Sequence, residues 1–349
     1  MSRRLPQPTA GKAGADASPA TSAGPAGREA AEGQPAPQLF GFLLMPRFSM
    51  LPFTSAVEPL RSANRLAGRS LYRWQVISKD GQPVAASNGI EVVPHAAMSA
   101  VERLPNVLVA AGIDAQLLHD EAVFGWLRRL ARQGCRMGAL STGTYVLARA
   151  GLLEGRRATI HWENLDGFRE DFPEVEVSGE LYEIDGNRLT CSGGTAALDL
   201  MLSLIGLDHG RELAVQVAEQ FIHERIRDNH DQQRMGLRSR LGISHPKLLR
   251  VIALMEEHLE EPLTRRELAR RAGLSTRQLE RLFRRYLSRT PTRYYLELRL
   301  HRARALLKQT ALSVLDVGLA CGFVSASHFS KCYREFFHRT PREERLPPA

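Results

Sequence analysis

The hydrophobic positions of this chain follow two different patterns. Between residues 38 and 207, short apolar runs alternate with longer stretches whose apolar residues recur every three or four positions. The runs are typical of buried strands and the longer stretches of helices. Their alternation predicts an α/β fold, a mostly parallel sheet covered on both faces. The predicted strands are residues 39–45, 74–78, 106–111, 136–140 and 158–160, and the predicted helices are 52–67, 116–133, 144–150 and 195–207.

The C-terminal third repeats one pattern at an interval of 50 residues, as Ser275 and Ser325 illustrate. Each copy contains a short helix, a turn with Gly273 or Gly322, and a Ser suited to cap the next helix. Each second helix carries one apolar stripe, which is expected to pack inward. Together these elements predict two helix-turn-helix units, whose second helices enter the DNA major groove. The stripes are Leu279, Leu282, Phe283 and Tyr286, and then Phe329, Cys332, Tyr333 and Phe336.

The basic charge lies on the same segment as this repeat. Residues 231–349 contain 24 Lys and Arg against 12 Asp and Glu, a net charge of +12. The whole chain carries +9, so residues 1–230 carry −3. A basic surface confined to a helix-turn-helix segment is expected to contact phosphates. Double-stranded DNA is therefore the predicted macromolecular partner.

Residues 291–309 are predicted to form one helix between the two units, with Pro291 in its first turn. Such a helix spans roughly 28 Å, close to the ~34 Å of one DNA turn, and can place two recognition helices in successive major grooves. The residues expected to reach DNA lie at the start of each recognition helix or opposite its stripe. They are Ser275, Thr276, Arg277, Glu280, Arg281 and Arg284, and then Ser325, Ser327, His328 and Lys331. For His328, a hydrogen bond within the turn is the alternative.

Residues 245–345 resemble the DNA-binding domain of the AraC/XylS family of transcription regulators. The first unit carries the family pattern L-S-x-R-x-L-x-R-x-F from Leu274 to Phe283, and the second carries A-C-G-F-x-S-x-S-H-F from Ala320 to Phe329. The Gly that this family usually places after each recognition helix is Ser288 and His338 here. If these positions require positive φ, each side chain costs about 1 kcal/mol relative to Gly.

In the first half, residues 137–143 (MGALSTG) run from a predicted strand into a predicted helix. This junction is similar to the nucleophile elbow of the PfpI/ThiJ branch of amidotransferase-like proteins, and the resemblance implies His161 as the partner of the nucleophile. That family normally has a reactive Cys where this chain has Ser141. Without a thiolate or an identifiable acid to orient His161, nucleophilic catalysis loses its main support. Three interpretations of this junction are compatible with the sequence: a binding pocket descended from an enzyme site, a Ser that only caps the helix, and an active hydrolase.

An amidotransferase-like domain before an AraC-type domain resembles the GlxA-like regulators, including those of glycine betaine, carnitine and arginine catabolism. The resemblance implies a flavodoxin-like α/β domain, an all-α domain with two helix-turn-helix units, and an activator that senses a small nitrogenous metabolite. A betaine, carnitine or a basic amino acid is the expected effector, held by aromatic faces, carboxylates and the N–H groups of residues 142–144. RNA polymerase and a second copy of the chain are expected partners. The expected effector residues are Glu58, Ser141, Thr142, His161, Trp162 and Glu163.

Four expected domains follow: a disordered tail at 1–37, a sensing and dimerisation domain at 38–230, a linker at 231–244 and a DNA-binding domain at 245–345. The apolar positions of residues 211–227 suggest a dimer surface or a relay that includes Phe221. No apolar stretch predicts a membrane span or signal peptide, and the four Cys lack metal-ligand spacing. A cytoplasmic protein without metal or cofactor is expected.

A ligand-responsive regulator without enzymatic activity is thus the preferred interpretation. The alternative is a bifunctional hydrolase or amidase that also binds DNA. A constitutive architectural DNA-binding protein is disfavoured, because it would leave the large sheet domain without a role.

Overall fold

The apolar runs of the first half pair into one seven-stranded sheet. The computed structural model describes residues 36–345, so the predicted tail lies almost entirely outside the described residues. The strand order is β10-β11-β7-β6-β1-β2-β5, and only β10 is antiparallel to its neighbour. The strands are β1 Gln38–Leu44, β2 Tyr72–Ser78, β3 Val84–Ala85, β4 Glu91–Val92, β5 Ala96–Ala97, β6 Asn106–Ala110, β7 Arg136–Leu140, β8 Arg157–Ala158, β9 Glu176–Val177, β10 Tyr182–Asp185 and β11 Arg188–Cys191.

Helices cover both faces of this sheet, and the alternation of strand side chains divides the core. Phe42 and Leu108 face one cluster, whereas Leu43 and Val109 face the other. The first cluster is completed by α1, α5 and α6, and the second by α2, α3 and α4. The predicted α/β, mostly parallel fold is therefore confirmed. These helices are α1 Met50–Ala67, α2 Glu121–Arg132, α3 Gly143–Arg149, α4 Leu165–Asp171, α5 Ala196–His209 and α6 Arg211–Gln220.

Two parts of the sheet differ from the prediction. Residues 158–160 do not join the main sheet, because β8 pairs only with β9 in a separate two-stranded ladder. The β10–β11 hairpin, which was not predicted, adds the antiparallel edge. Its strands are four residues each, too short to give a periodic apolar signal.

The stripe expected to form a dimer surface is mostly covered by its own chain. The α6 helix ends at Gln220, and Val217 is fully buried against α1 and α5. Leu213 and Phe221 pack on the same core, whereas Ile222 is 94% exposed. Phe221 is partly buried against the same core, so most of this stripe packs within the chain, and a role of residues 211–227 as dimer surface or relay stays a prediction.

The C-terminal half is built around one long helix. Residues 291–309 form the predicted helix, and its first half joins one buried cluster while its second half joins another. Each cluster belongs to one helix-turn-helix unit, so both units share a rigid element. The helices are α7 Leu237–Leu241, α8 Pro246–Glu257, α9 Arg265–Arg271, α10 Thr276–Leu287, α11 Pro291–Gln309, α12 Val314–Ala320, α13 Ala326–Phe337 and α14 Pro341–Glu344.

Within residues 36–345, no helix has the length and apolar character needed to span a bilayer.

Both recognition helices begin and end in the same way. Ser275 and Ser325 are the N-caps, and their hydroxyls accept from the backbone N–H groups of Gln278 and His328. The helices end at Ser288 and His338, which have φ of 53° and 56°. Both residues therefore occupy the left-handed region, where a Cβ is unfavourable.

We expect Ser288→Gly and His338→Gly each to raise the free energy of unfolding by about 1 kcal/mol, because Gly removes the Cβ strain at these caps. Urea denaturation followed by circular dichroism measures the change. Ser330→Gly, inside α13, is the control and is expected to lower the free energy of unfolding by about 0.5 kcal/mol. Destabilisation at both caps would contradict the strain argument.

Candidate ligand cavity and nucleic-acid interface

The parallel sheet brings three loops to one edge. Strands β1, β6 and β7 are neighbours, and ligands of open α/β sheets collect beyond the carboxyl ends of such strands. The loops that follow them border a cavity of about 770 Å³. Its lining is Ser49, Gly112, Ile113, Asp114, Gln116, Leu117, Ser141, Thr142, His161, Glu163, Asn164, Lys308, Gln309, Arg339, Glu344 and Arg345.

Ser141 stands at a strained turn between β7 and α3. Its φ is 60°, rare for a residue other than Gly, and its N–H donates to the carbonyl of Cys191 at 3.0 Å. Gly193 packs against it so closely that an added Cβ would lie 2.7 Å from the Cβ of Ser141. Ser141 is only 6% exposed. The geometry is that of a nucleophile elbow, in which the turn directs one side chain into a cavity.

The residues after Ser141 lock the turn in place. The hydroxyl of Thr142 donates to the carbonyl of Gly112 at 2.7 Å, and that of Thr144 donates to the carbonyl of Thr159 at 2.9 Å. A Cβ on Gly143 would clash with the carbonyl oxygen of Val109. Neither Ser141 nor Thr142 caps α3 through its side chain. The N-cap residue of α3 is Thr142 rather than Ser141, which argues against a role of Ser141 as a helix cap.

His161 and Glu163 lie on the segment after β8. Burial lowers the pKa of His161, while the carboxylate of Glu163, 3.7 Å from its Nδ1, acts in the opposite direction. The imidazole is therefore largely uncharged at neutral pH. Glu163 is 59% exposed at its side chain, so its charge remains available to a ligand.

Of the six expected effector residues, four line the cavity: Ser141, Thr142, His161 and Glu163. Trp162 does not line it, because its ring is stacked by Arg234, whose Cζ lies 4.5 Å from the ring centroid. Glu58 is on α1 and pairs with Arg61 at 2.7 Å, outside the cavity lining. The structure therefore does not bring Trp162 and Glu58 to this cavity with the other four residues, and their expected ligand roles stay predictions.

Cys191 is the thiol next to the elbow. It lies at the end of β11 and is fully buried. Burial raises its pKa to about 11, against the lowering effect of hydrogen bonds with the backbone of Gly193 and Ser141. At neutral pH the thiol is protonated, so Cys191 does not supply the nucleophile that Ser141 replaces.

The opposite wall of the cavity comes from the C-terminal half, which sequence reasoning missed. Lys308 and Gln309 end α11, and Arg339, Glu344 and Arg345 follow α13. The basic excess of residues 231–349 predicts phosphate contacts for the segment as a whole, and no local pattern distinguishes a cation that faces a cavity from one that faces phosphate. Their position depends on how the halves pack.

Helix α4 holds the end of α11 directly. Asp166 pairs with Arg302 at 3.3 Å, and the side-chain amide of Gln309 donates to the carbonyl of Glu163 at 2.8 Å. Gly167 lies against Gln309, and an added Cβ there would be 3.1 Å from the Cβ of Gln309. The segment that carries His161 and Glu163 is therefore also the segment that contacts the long helix.

The residues expected to link the domains are also anchored. The side-chain amide of Gln233 donates to the carbonyls of Ile160 and Glu180 at 3.0 and 2.8 Å, beside Arg234 on Trp162. Within the linker expected at residues 231–244, residues 237–241 form the short helix α7. The connection is therefore in contact with the cavity segment over part of its length.

The two recognition helices expose their polar faces. Every residue expected to reach DNA is exposed except Glu280, which is half-buried and paired with Arg265 at 2.9 Å. The carboxylate of Glu280 is therefore already paired within the chain. His328 has a partner within its own helix, since its Nε2 lies 3.4 Å from the thiol of Cys332. The exposed residues are Ser275, Thr276, Arg277, Arg281 and Arg284 at α10, and Ser325, Ser327, His328 and Lys331 at α13.

Comparison with known proteins assigns a family to each half. Residues 42–207 match the DJ-1/PfpI family, and residues 268–346 match a helix-turn-helix domain. The chain is 51% identical over 309 residues to the HTH-type transcriptional regulator GbdR of Pseudomonas aeruginosa. This alignment covers 88% of this chain and 84% of GbdR. It is 52% identical over 308 residues to the HTH-type transcriptional regulator CdhR of Pseudomonas aeruginosa, covering 88% and 91% respectively.

A solved structure of an AraC family transcriptional regulator from Pseudomonas putida superimposes with a TM-score of 0.50 at 30% identity. It covers 53% of this chain and 100% of that chain.

We expect Gly143→Ala to lower the free energy of unfolding by on the order of 1–3 kcal/mol, because its Cβ has no room beside Val109. Thermal unfolding monitored by circular dichroism measures the loss. Gly125→Ala, in α2, is the matched control, because no described atom lies within 4 Å of the added Cβ. The free energy of unfolding of Gly125→Ala should rise by about 0.5–1 kcal/mol, because Ala is more favourable than Gly inside a helix. Equal effects at both positions would contradict a tight elbow.

Proposed function

This chain belongs to the family of AraC-type transcriptional regulators that carry a DJ-1/PfpI domain before their helix-turn-helix domain, and we propose that it binds promoter DNA through both recognition helices. We also propose that it responds to a small nitrogenous metabolite in the cavity beside Ser141. The observation that carries this proposal is the shared location of the elbow and the end of α11 on one cavity. A ligand there touches the sheet domain and the DNA-binding half together. Transcription then responds to the difference in ligand affinity between two arrangements.

DNA recognition is supported by the way α11 joins the two units. Each unit has its own buried cluster, and the same helix contributes to both. A helix of 19 residues spans roughly 28 Å, which suits successive major grooves on one DNA face. We propose that Arg277 and Arg281 contact base edges in the first site, and that Ser327, His328 and Lys331 face the second.

Ligand sensing rather than catalysis is supported by the chemistry of the elbow. The reactive Cys of related enzymes is Ser141 here, and the neighbouring thiol of Cys191 is protonated. The relatives of matching architecture are transcriptional regulators. Betaines, carnitine and basic amino acids are the proposed ligands. A bifunctional hydrolase is the second candidate, because Ser141 has elbow geometry and shares its cavity with His161.

We also propose that the regulator is a homodimer that recruits RNA polymerase as an activator. The α6 stripe is covered within the chain, so the residues still available beside it are Val215 and Ile222, which are 38% and 94% exposed. If they belong to the dimer interface, Ile222→Glu should shift the protein from dimer to monomer in sedimentation velocity. A dimer that persists unchanged excludes this surface.

We expect full-length protein to select, from random duplex, two half-sites with centres about one helical turn apart. Arg277→Ala and Arg281→Ala should each weaken binding to the selected site by roughly tenfold, because one bidentate base contact contributes about 1–3 kcal/mol. Fluorescence anisotropy at physiological salt measures this loss. Arg73→Ala, an exposed residue of β2, is the control. Equal affinity for selected and random duplex would overturn the DNA-binding proposal.

Ser141→Ala separates the regulator from the hydrolase. We expect the variant to bind the selected DNA as tightly as the unmodified chain, because Ser141 lies in the sheet domain. Ester and amide hydrolysis should be at background in both proteins, since the elbow lacks a thiolate. Turnover that is present in the unmodified chain and lost in Ser141→Ala would instead establish the bifunctional hydrolase.

A further inference from the structure

The charges around the cavity are separated by domain. The sheet domain contributes two acidic residues to the lining, Asp114 and Glu163. The DNA-binding half contributes three basic residues, Lys308, Arg339 and Arg345, and one acidic residue. One wall is therefore negative and the other positive, across a space large enough for a small metabolite.

The acidic residue of the basic wall, Glu344, is already neutralised. Its carboxylate is only 1% exposed and accepts from Arg304 and Lys308, each at 3.1 Å, and from the hydroxyl of Tyr333 at 3.1 Å. Two cations share this single carboxylate, so the group retains a positive charge. Lys308 is half exposed at its side chain, and Arg339 is exposed on the same wall. Both can therefore accept a second anionic partner.

On the sheet wall, Glu163 is the carboxylate best placed for a cation. Asp114 is paired with Arg47 at the surface. Glu163 has His161 as its neighbour at 3.7 Å, and burial keeps that imidazole largely uncharged. A protonated His therefore does not compensate the carboxylate of Glu163, and the guanidinium of Arg234 interacts with it only at longer range, with no ion pair between them among the described residues. The aromatic face of Trp162 is occupied by Arg234, which leaves the carboxylate as the local group that attracts a cation.

We propose that the cavity binds a zwitterion across the domain junction, with the ligand's carboxylate on Lys308 and Arg339 and its cationic nitrogen at Glu163. This inference rests on the proposed function and assigns part of the effector site to the DNA-binding half. A cation without a carboxylate can pair only with Glu163, and a simple carboxylate can pair only with Lys308 and Arg339. Discrimination among metabolites then comes from the requirement for both charges.

The proposed site also explains how ligand binding affects the position of the recognition helices. Glu163 and Lys308 lie on either side of a junction that Gln309 already bridges through the carbonyl of Glu163. Arg302 and Asp166 add an ion pair beside it at 3.3 Å. A zwitterion adds charge-assisted contacts to both sides and favours the arrangement in which α11 rests on α4. Because α11 joins both helix-turn-helix units, the position of both is affected.

The test uses full-length protein and isothermal titration calorimetry with glycine betaine, L-carnitine and L-arginine as zwitterions. Choline is the probe with the cation alone, and acetate is the probe with the carboxylate alone. We expect at least one zwitterion to bind and both single-charge probes to bind at least tenfold more weakly. Arg339→Gln and Lys308→Gln should each raise the Kd of that zwitterion about tenfold, the loss of one charge-assisted contact.

Arg342→Gln is the matched control, since Arg342 is an exposed Arg of α14 outside the cavity lining. It should bind the zwitterion as the unmodified chain does. Lys308→Gln leaves Arg304 on Glu344, so both variants are expected to fold, and circular dichroism verifies this. If Lys308→Gln does not fold, the effect of Arg339→Gln on the Kd of the zwitterion is sufficient to test the proposal.

The outcomes separate the two proposals. Zwitterion binding that is unchanged in Arg339→Gln and Lys308→Gln overturns the shared site and leaves the regulator proposal intact. Choline binding as tight as that of glycine betaine overturns the requirement for a carboxylate. Failure of all three zwitterions overturns the assigned ligand class. A chain that neither binds selected DNA nor responds to any metabolite in a reporter assay overturns the proposed function itself.

Discussion

The structure depends on one long helix that belongs to three packing environments at once. The first half of α11 completes the core of one helix-turn-helix unit, and its second half completes the core of the other. Its last turns contact α4 of the sheet domain through Arg302 and Gln309. A helix whose side chains are fixed along most of its length transmits displacement at one end to both units, because packed cores move as units and deform little.

The sheet domain positions its side of this junction through close backbone packing. Gly143 leaves room for the carbonyl of Val109, and Gly193 leaves room for Ser141. The hydroxyls of Thr142 and Thr144 then tie the elbow to the loop after β6 and to the segment that leads to His161. The turn thus has elbow geometry with Ser141 at the position where the PfpI/ThiJ resemblance implies a reactive Cys. The strain at Ser141 persists because the surrounding backbone fixes it.

Local patterns were sufficient wherever a single element carried the signal. The bounds of α11 and β7, the N-caps Ser275 and Ser325, and the alternation that defines the sheet follow from periodicity and capping chemistry. The positive φ at Ser288 and His338 was anticipated as a condition and is present. The prediction failed for short elements such as β8 and β10, whose two and four residues carry too little pattern to identify their partners.

Two helix-turn-helix units on a basic segment, an α/β domain before them and a Ser at an elbow can all be inferred from local spacing and residue type. Which side chains share the cavity depends on how the folded elements pack. The ring of Trp162 is covered by Arg234, 72 positions away in the chain, and Trp162 does not line the cavity. Lys308 and Arg339 do line it, because the C-terminal half packs against the sheet domain near α4. Such contacts join residues far apart in the chain, so they depend on packing between elements, which no local pattern encodes.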